Sequence, residues 1–269
     1  MEIFIIGATG FVGRAVARHL ARAGHHITGL ARTEAAAAAL KADGITPVAG
    51  DLGARLPETI AAARLADTVV YAAAADPAQE TATLDDLIQA LADSGKTLVF
   101  LSGTGVFLQR TAGSWSEAGF AEDDPFTVEP LAAARKAAEE KPRRSRGEGA
   151  GRRLTRHAHD GHPLDDVTRL FTLALDKGTS GALYHAVAGE TPNRWLAERV
   201  ADDLGCGTRG VDEAEAAEIW GEFGALIMAS SSRCRAPRTR RQLGWEPHHS
   251  DMLTMVGEPR LRELAATRP

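Results

Sequence analysis

One short stretch constrains this chain more than any other: Gly7-Ala8-Thr9-Gly10-Phe11-Val12-Gly13, set directly after the apolar run Glu2–Ile6. The run reads as a buried strand, and about Phe11–Ala23 reads as a helix. Backbone N–H groups converge where such a helix starts, and the helix dipole places about half a positive charge there. A pyrophosphate fits that place if the chain turns tightly and no side chain blocks the approach. Gly7, Gly10 and Gly13 meet both needs, the third by letting the helix pack against the strand. The spacing is G-x-x-G-x-x-G, and a bare glycine triplet is weak evidence. Its position after the first strand of a βαβ series is what gives it weight. The bland alternative is a glycine turn with no ligand.

Short apolar runs alternate with helix-like stretches through the N-terminal part. Strands are expected at His26–Leu30, Pro47–Ala49, Thr68–Ala73 and Thr97–Ser102, and helices at Glu34–Ala42, near Pro57–Leu65 and at Leu84–Ser94. This spacing means right-handed βαβ units and a parallel sheet. The runs VVYAAA and LVFL are continuously apolar, as in strands covered on both faces by helices. The expected fold is therefore α/β: a Rossmann doubly wound parallel sheet, helices on both faces, and a small C-terminal substrate lobe. Residues 1–160 form the dinucleotide-binding domain; 161–269 complete the sheet and build the lobe. There the pattern predicts a helix over Asp166–Lys177, a strand over Ala182–Val187 and a helix over Asn193–Leu204, with helical or irregular chain beyond.

Composition narrows the partners. The 269 residues carry a net charge of −5, so no global basic field draws in nucleic acid or an anionic membrane. Two cysteines, Cys206 and Cys234, cannot build a disulfide framework. No apolar run approaches membrane-spanning length, and MEIFII lacks the basic start and cleavage site of a signal peptide. These features predict a cytoplasmic protein with a small-molecule substrate and neither nucleic acid nor membrane as partner.

The residue that reads the adenosine ribose belongs at the end of the second strand. An acid there accepts from the 2′-OH of NAD, and an arginine accommodates the 2′-phosphate of NADP. This chain offers Arg32, with Thr33 as a second donor, so NADP is the expected cofactor; Glu34 keeps NAD as the alternative. Asp51 and Leu52, after the third strand, border the adenine. Ala72, Ala73 and Ala74, after the fourth, offer small walls beside the ribose and nicotinamide, or simply pack.

With GATGFVG, GDL at Gly50–Leu52, VVYAAAADP, LVFLSGTGVF, HPLDDV, YHAVAGE and LGWEP in place, the chain resembles the extended short-chain dehydrogenase/reductase superfamily, specifically the NAD-dependent epimerase/dehydratase family. The resemblance spans most of the chain outside about residues 141–161. It implies hydride transfer on nucleotide sugars or other small carbonyl and hydroxyl compounds, and it allows a homodimer. It also implies a Tyr-x-x-x-Lys pair, with tyrosine as general acid/base and lysine one helical turn on. That pair is absent. Tyr71 and Tyr184 are followed four residues later by Ala75 and Ala188. The matching helix is Leu131–Glu140; with Lys136 in the lysine position the tyrosine slot falls on Ala132, and with Arg135 there it falls on Leu131. Ser102-Gly103-Thr104 supplies hydroxyls on either side of the usual serine slot. Ser102, Thr104 and Lys136 are the catalytic candidates, with Glu117 a weaker one near the cleft. A non-catalytic dinucleotide-binding sensor, regulatory subunit or decayed enzyme is the competing reading.

The segment Lys141–His162 is dense in Arg, Gly and His and nearly devoid of large apolar residues. By composition, 141–161 cannot supply a core strand or a normal amphipathic helix. It reads as irregular, a deletion or a shifted reading frame, with the sixth parallel strand missing or replaced. Its arginines read as a solvated loop, and His157, His159 and His162 lack a nearby Cys to complete a zinc set; no metal is expected. An aspartate opening the next helix is expected to cap it. Tyr184 and His185 read as core groups, and burial is the default for Trp195, Trp220 and Trp245.

Overall fold

The computed structural model describes residues 1–144, 153–158 and 164–256, with the backbone alone at 144 and 153–158. The chain alternates β1 (Glu2–Ile6), α1 (Phe11–Arg22), β2 (His26–Ala31), α2 (Glu34–Ala42), β3 (Thr46–Ala49), α3 (Leu56–Leu65), β4 (Thr68–Tyr71), α4 (Pro77–Ala90) and β5 (Thr97–Gly103). The short strand β6 (Gln109–Arg110), α5 (Ala133–Arg144), β7 (Arg153–Ala158), α6 (Leu164–Lys177) and β8 (Leu183–Ala186) follow. Then come α7 (Asn193–Leu204), α8 (Glu213–Met228), β9 (Ser230–Ser231), α9 (Pro237–Leu243) and α10 (Met252–Val256).

Seven strands form one parallel sheet in the order β3-β2-β1-β4-β5-β7-β8. Period-two alternation splits each central strand between two cores. Ile3, Ile5, Val70 and Val99 face α1 and α6; Phe4, Ile6, Tyr71 and Phe100 face α4 and α5. That two-sided burial is why these strands are apolar throughout. A third cluster, with Val106, Phe107, Val187 and Cys234, joins the end of β5 to the C-terminal lobe.

Several expectations need correction. The sixth parallel strand is present: Arg153–Ala158 pairs with β5 on one side (Val99 opposite Leu154) and with β8 on the other (Ala158 opposite Ala186). Two flanking strands satisfy its backbone N–H and C=O groups, and this outweighs a composition poor in apolar residues. The start of the same segment is helical, since α5 runs to Arg144; the rest of it lies outside the described residues. Helix α4 begins at Pro77, because Asp76 accepts from the Ala78 and Gln79 amides and proline suits a first helical position. Trp245 is fully buried, but Trp195 and Trp220 are about half exposed on α7 and α8.

Candidate functional site

The glycine loop lies between the carboxyl ends of β1 and β4, where the strand order reverses. Gly7 has φ +93°, and a Cβ there would lie 2.6 Å from the Ala72 carbonyl. A Cβ on Gly13 would lie 2.2 Å from the Gly7 oxygen. Neither position admits a side chain. Gly10 differs: its Cβ would meet only the Gly7 oxygen, at 3.3 Å, so the protein itself barely excludes one. Its N–H donates to that oxygen at 2.9 Å and closes the turn. Gly10 is also the N-cap of α1, and no side chain caps this helix, whereas Thr33, Asp76 and Asp212 cap α2, α4 and α8. The first-turn amides of Phe11, Val12 and Gly13 have no partner within a helix, and no acid stands in that turn. Ala8 is buried beside Gly29, Val12 is half-buried, and Thr9, Gly10 and Phe11 are exposed.

At the ends of β2 and β3, Arg32 is exposed. Thr33 caps α2, its hydroxyl accepting from the Ala36 amide at 3.1 Å, and that bond uses the oxygen's lone pair, not the hydrogen it would donate. Asp51 accepts from the amides of Gly53 (2.7 Å) and Arg55 (2.9 Å), which hold its carboxyl below the usual range. The Leu52 carbonyl accepts from the Gln79 side chain. Sequence reasoning missed Arg55. Its Nη2 donates to the carbonyls of Arg32 (3.0 Å) and Gly50 (3.3 Å), and its Nε meets Asp51 at 3.3 Å. It therefore laces the ends of β2 and β3 and sets a second guanidinium beside Arg32. The one available signal was the Asp51–Arg55 spacing of a helix-start ion pair.

Beyond β4, Ala72 and Ala73 are half-buried and Ala74 is exposed; the Ala72 amide donates to Ile6 at 2.8 Å. Ser102, at the end of β5, is 3% exposed, and its Oγ has no partner among the described residues. Thr104 is buried at the start of the 3₁₀ turn Thr104–Phe107. Lys136 Nζ lies 2.9 Å from Glu139 and 3.6 Å from Glu140, and 5.2 Å over the Phe126 ring. Arg135 turns the other way and pairs with buried Glu80 on α4. Leu131 and Ala132, the two tyrosine slots, lie in the 3₁₀ turn Pro130–Ala132 before α5. Tyr71 is sealed in the core, where burial raises its phenol. The Tyr184 hydroxyl accepts from the Thr179 amide at 2.9 Å, and His185 Nδ1 meets the Arg235 carbonyl at 2.8 Å, as core groups should. Glu117 is exposed and accepts from Trp115 Nε1.

The C-terminal lobe holds a cavity of about 620 Å³ beyond the carboxyl end of β8. Trp115 and Ser116, from the loop that follows β6, form part of its wall. Arg233 stacks over Trp115 at 4.4 Å and pairs with Glu190 at 2.8 Å. Cys234 also lines the cavity, but burial pushes its thiol up to about 12, leaving it protonated at neutral pH and a poor nucleophile. β8 stands three strands from β4 in the sheet order, roughly 14 Å at about 4.8 Å per strand. Cavity and glycine loop thus share an edge of the sheet but not a position.

A carboxylate ties this lobe to the sheet. Asp166, in the first turn of α6, accepts from the amides of His248 (2.9 Å) and His249 (2.9 Å) and from Arg169 (3.1 Å). Its own carbonyl accepts from Trp245 Nε1 at 2.9 Å. The expected helix cap is instead a latch between HPLDDV and LGWEP, the helix start supplying an acceptor for amides of a remote segment. Among the described residues no cluster of His, Cys, Asp or Glu could hold a metal ion; the side chains of His157, His159 and His162 lie outside them.

Residues 7–147, more than half of the chain, match the family model described as NAD(P)H-binding, and the chain belongs to that family. It is 28% identical to the uncharacterized protein C2A9.02 of Schizosaccharomyces pombe, over 94% of this chain and 97% of that one. The fold matches a short-chain dehydrogenase/reductase superfamily protein from Agrobacterium tumefaciens with bound NAD, at TM-score 0.72 and 18% identity over 99% of both chains. It also matches the human epimerase family protein SDR39U1 with NADPH, at TM-score 0.68 and 17% identity over 100% of both. The parallel sheet with helices on both faces is the fold that those two structures share, as the sequence pattern predicts. Among the described residues no helix is long and apolar enough to cross a membrane.

Proposed function

We propose that the protein binds NADP(H) with the diphosphate on the first turn of α1, and acts as an oxidoreductase or epimerase-like catalyst on a small carbonyl or hydroxyl compound. One observation carries this reading: a side-chain-free cradle, locked at Gly7 and Gly13 and open at Gly10, before a helix that no side chain caps. The residues present fit the group. The adenosine half would lie over β2 and β3, where exposed Arg32 favours a 2′-phosphate over a bare ribose and Arg55, whose Nε and Nη2 are held by Asp51 and two carbonyls, has only Nη1 to add. When bound, the nicotinamide supplies or accepts a hydride. The chain's own work is to leave room at Ala72–Ala74 and to hold a substrate oxygen with the hydroxyls of Ser102 and Thr104.

Lacking the tyrosine, the protein forgoes a positioned acid/base worth roughly a hundred- to ten-thousand-fold in rate, or about 3–5 kcal/mol of barrier. The ion pair of Lys136 with buried Glu139 favours the second reading, a dinucleotide-binding protein without turnover, because that ammonium is already compensated. Fluorescence titration with NADPH and NADH, followed by NADPH oxidation against a panel of carbonyl compounds, separates the two. Binding with turnover supports catalysis. Binding without turnover supports the sensor reading. Failure to bind either dinucleotide overturns both.

A further inference from the structure

We propose that the cavity of the C-terminal lobe takes an uncharged, partly apolar carbonyl or hydroxyl compound and not a nucleotide diphosphate sugar. This rests on the reading of that lobe as the substrate lobe and names the substrate class. The walls are contributed by separate elements: Trp115 after β6, Val187 after β8, Leu196 on α7, Ile227 on α8, and Met252 and Met255 on α10. Aromatic, branched and thioether side chains converging from five places make an adaptable apolar surface. Serine hydroxyls at Ser230, Ser231 and Ser232 add neutral hydrogen-bonding groups on one side. That is the lining of a site for a small, largely apolar molecule with one or two polar atoms.

Charge decides against a diphosphate. Among the described residues the lining carries two guanidinium groups, Arg194 and Arg233, and one imidazole, His249. Arg233 is fully committed: Glu190 pairs with it at 2.8 Å, Glu117 approaches at 3.7 Å, the Ser116 carbonyl accepts from Nη1 at 2.5 Å, and the Trp115 ring covers its face. Arg194 pairs with Glu198 at 2.7 Å, and its side chain is 84% exposed. His249 pairs with Asp166 at 3.1 Å. The start of α7, which reaches the cavity at Asn193, adds about half a positive charge. That is far short of the two negative charges of a diphosphate, whose recognition calls for unpaired arginines. Removing such a group from water without a partner is costly, whereas an uncharged carbonyl compound gives up little hydration.

Trp115 makes the proposal measurable without any turnover. The full-length protein is titrated with acetophenone, UDP and UDP-glucose while tryptophan emission is followed. Acetophenone should give a saturable change that is lost in Trp115→Phe, and UDP and UDP-glucose should give none. Leu196→Arg and Met255→Arg, on two different walls, should each weaken acetophenone binding by about tenfold or more by placing a charge on the apolar surface. Both positions are partly exposed, so at least one variant should fold, which a thermal melt checks. Saturable binding of UDP or UDP-glucose tighter than that of acetophenone overturns the proposal. So does acetophenone binding that a folded arginine variant leaves unchanged, and so does the absence of a saturable response to all three. NADPH binding is read separately from cofactor fluorescence. A protein that binds acetophenone but no dinucleotide defeats the cofactor reading alone; one that binds NADPH and prefers UDP-glucose defeats this inference alone.

Discussion

The carboxyl edge of the sheet is built in two ways. At β1 and β4 the work is done by backbone: Gly7 against Ala72, Gly13 against Gly7, and the free amides of a helix start. Beyond β8 it is done by side chains that reach across the chain. Asp166 holds the amides of His248 and His249, 82 and 83 residues away, and Glu122 holds the Thr239 amide and hydroxyl, 117 residues away. A backbone site is specified by local residues whose missing side chains are visible in one short motif. A side-chain site is specified by pairs that meet only after folding. The first half can therefore be read from a stretch of seven residues, and the second cannot.

The comparison breaks most sharply at Gly13. Gly13→Val should abolish measurable NADPH binding, because its first new carbon would lie 2.2 Å from the Gly7 oxygen and push the loop apart. The same overpacking should cost about 1–3 kcal/mol of stability, measured by urea unfolding. A valine variant that still binds NADPH with wild-type affinity would remove the backbone argument altogether.

The matching blow to the other region is Asp166→Asn. An amide cannot accept as a carboxylate does from two N–H groups and a guanidinium, and the loss should be about 3 kcal/mol. Burial alone raises the Asp166 carboxyl, but the His248 and His249 amides, the His249 ring and Arg169 outweigh it and hold it below its ordinary 3.8. A carboxyl held low in the folded state gives its full stabilisation above that ordinary value and loses it as pH falls through the lower folded value. The stability gap between wild type and Asp166→Asn should thus be full at neutral pH and shrink as pH falls below the ordinary 3.8 toward the lower folded value. Urea midpoints from pH 7 down to about pH 2 check this; a gap that does not shrink at all below the ordinary 3.8 would assign the effect to shape and not charge.

The same contrast explains what the sequence made legible. Helix α2 was readable at both ends because Thr33, a run of alanines and the helix period all agree locally. The glycine loop was readable for the same reason. Strand β7 was not, since its evidence lies in the ladders with β5 and β8 and not in its composition. The latch at Asp166 looked like a helix cap because a cap is the local use of an aspartate at that place. Trp195 and Trp220 remain on the surface, and no local rule places a single tryptophan. Local consistency predicts elements; long-range pairing decides which side chains do the work.

At a smaller scale, Arg32 and Arg55 test whether side chains add selectivity to a site whose core is backbone. Arg32→Ala should weaken NADPH about ten- to a hundredfold and leave NADH nearly unchanged, consistent with loss of one charge-assisted contact of about 1.5–3 kcal/mol. Arg55→Ala should do the same, with a further loss from loosening the Arg32 carbonyl. Parallel titrations with the two dinucleotides give the ratio. Equal losses for NADPH and NADH would make Arg55 a strut between β2 and β3 and nothing more.

Thr33 gives the smallest effect and the finest division between the two kinds of construction. Its hydroxyl accepts from the Ala36 amide as the cap of α2, and the same hydroxyl hydrogen is free to meet a phosphate. As a cap alone, Thr33→Ala should cost about 1 kcal/mol of stability and leave NADPH affinity within about twofold. Thr33→Asp separates the roles, because aspartate caps as well as threonine but brings a negative charge to the 2′-phosphate. Stability should then be restored while NADPH affinity falls and NADH affinity does not. If Thr33→Asp binds NADPH as wild type does, the phosphate lies elsewhere, and the end of β2 is a helix start with no part in choosing the cofactor.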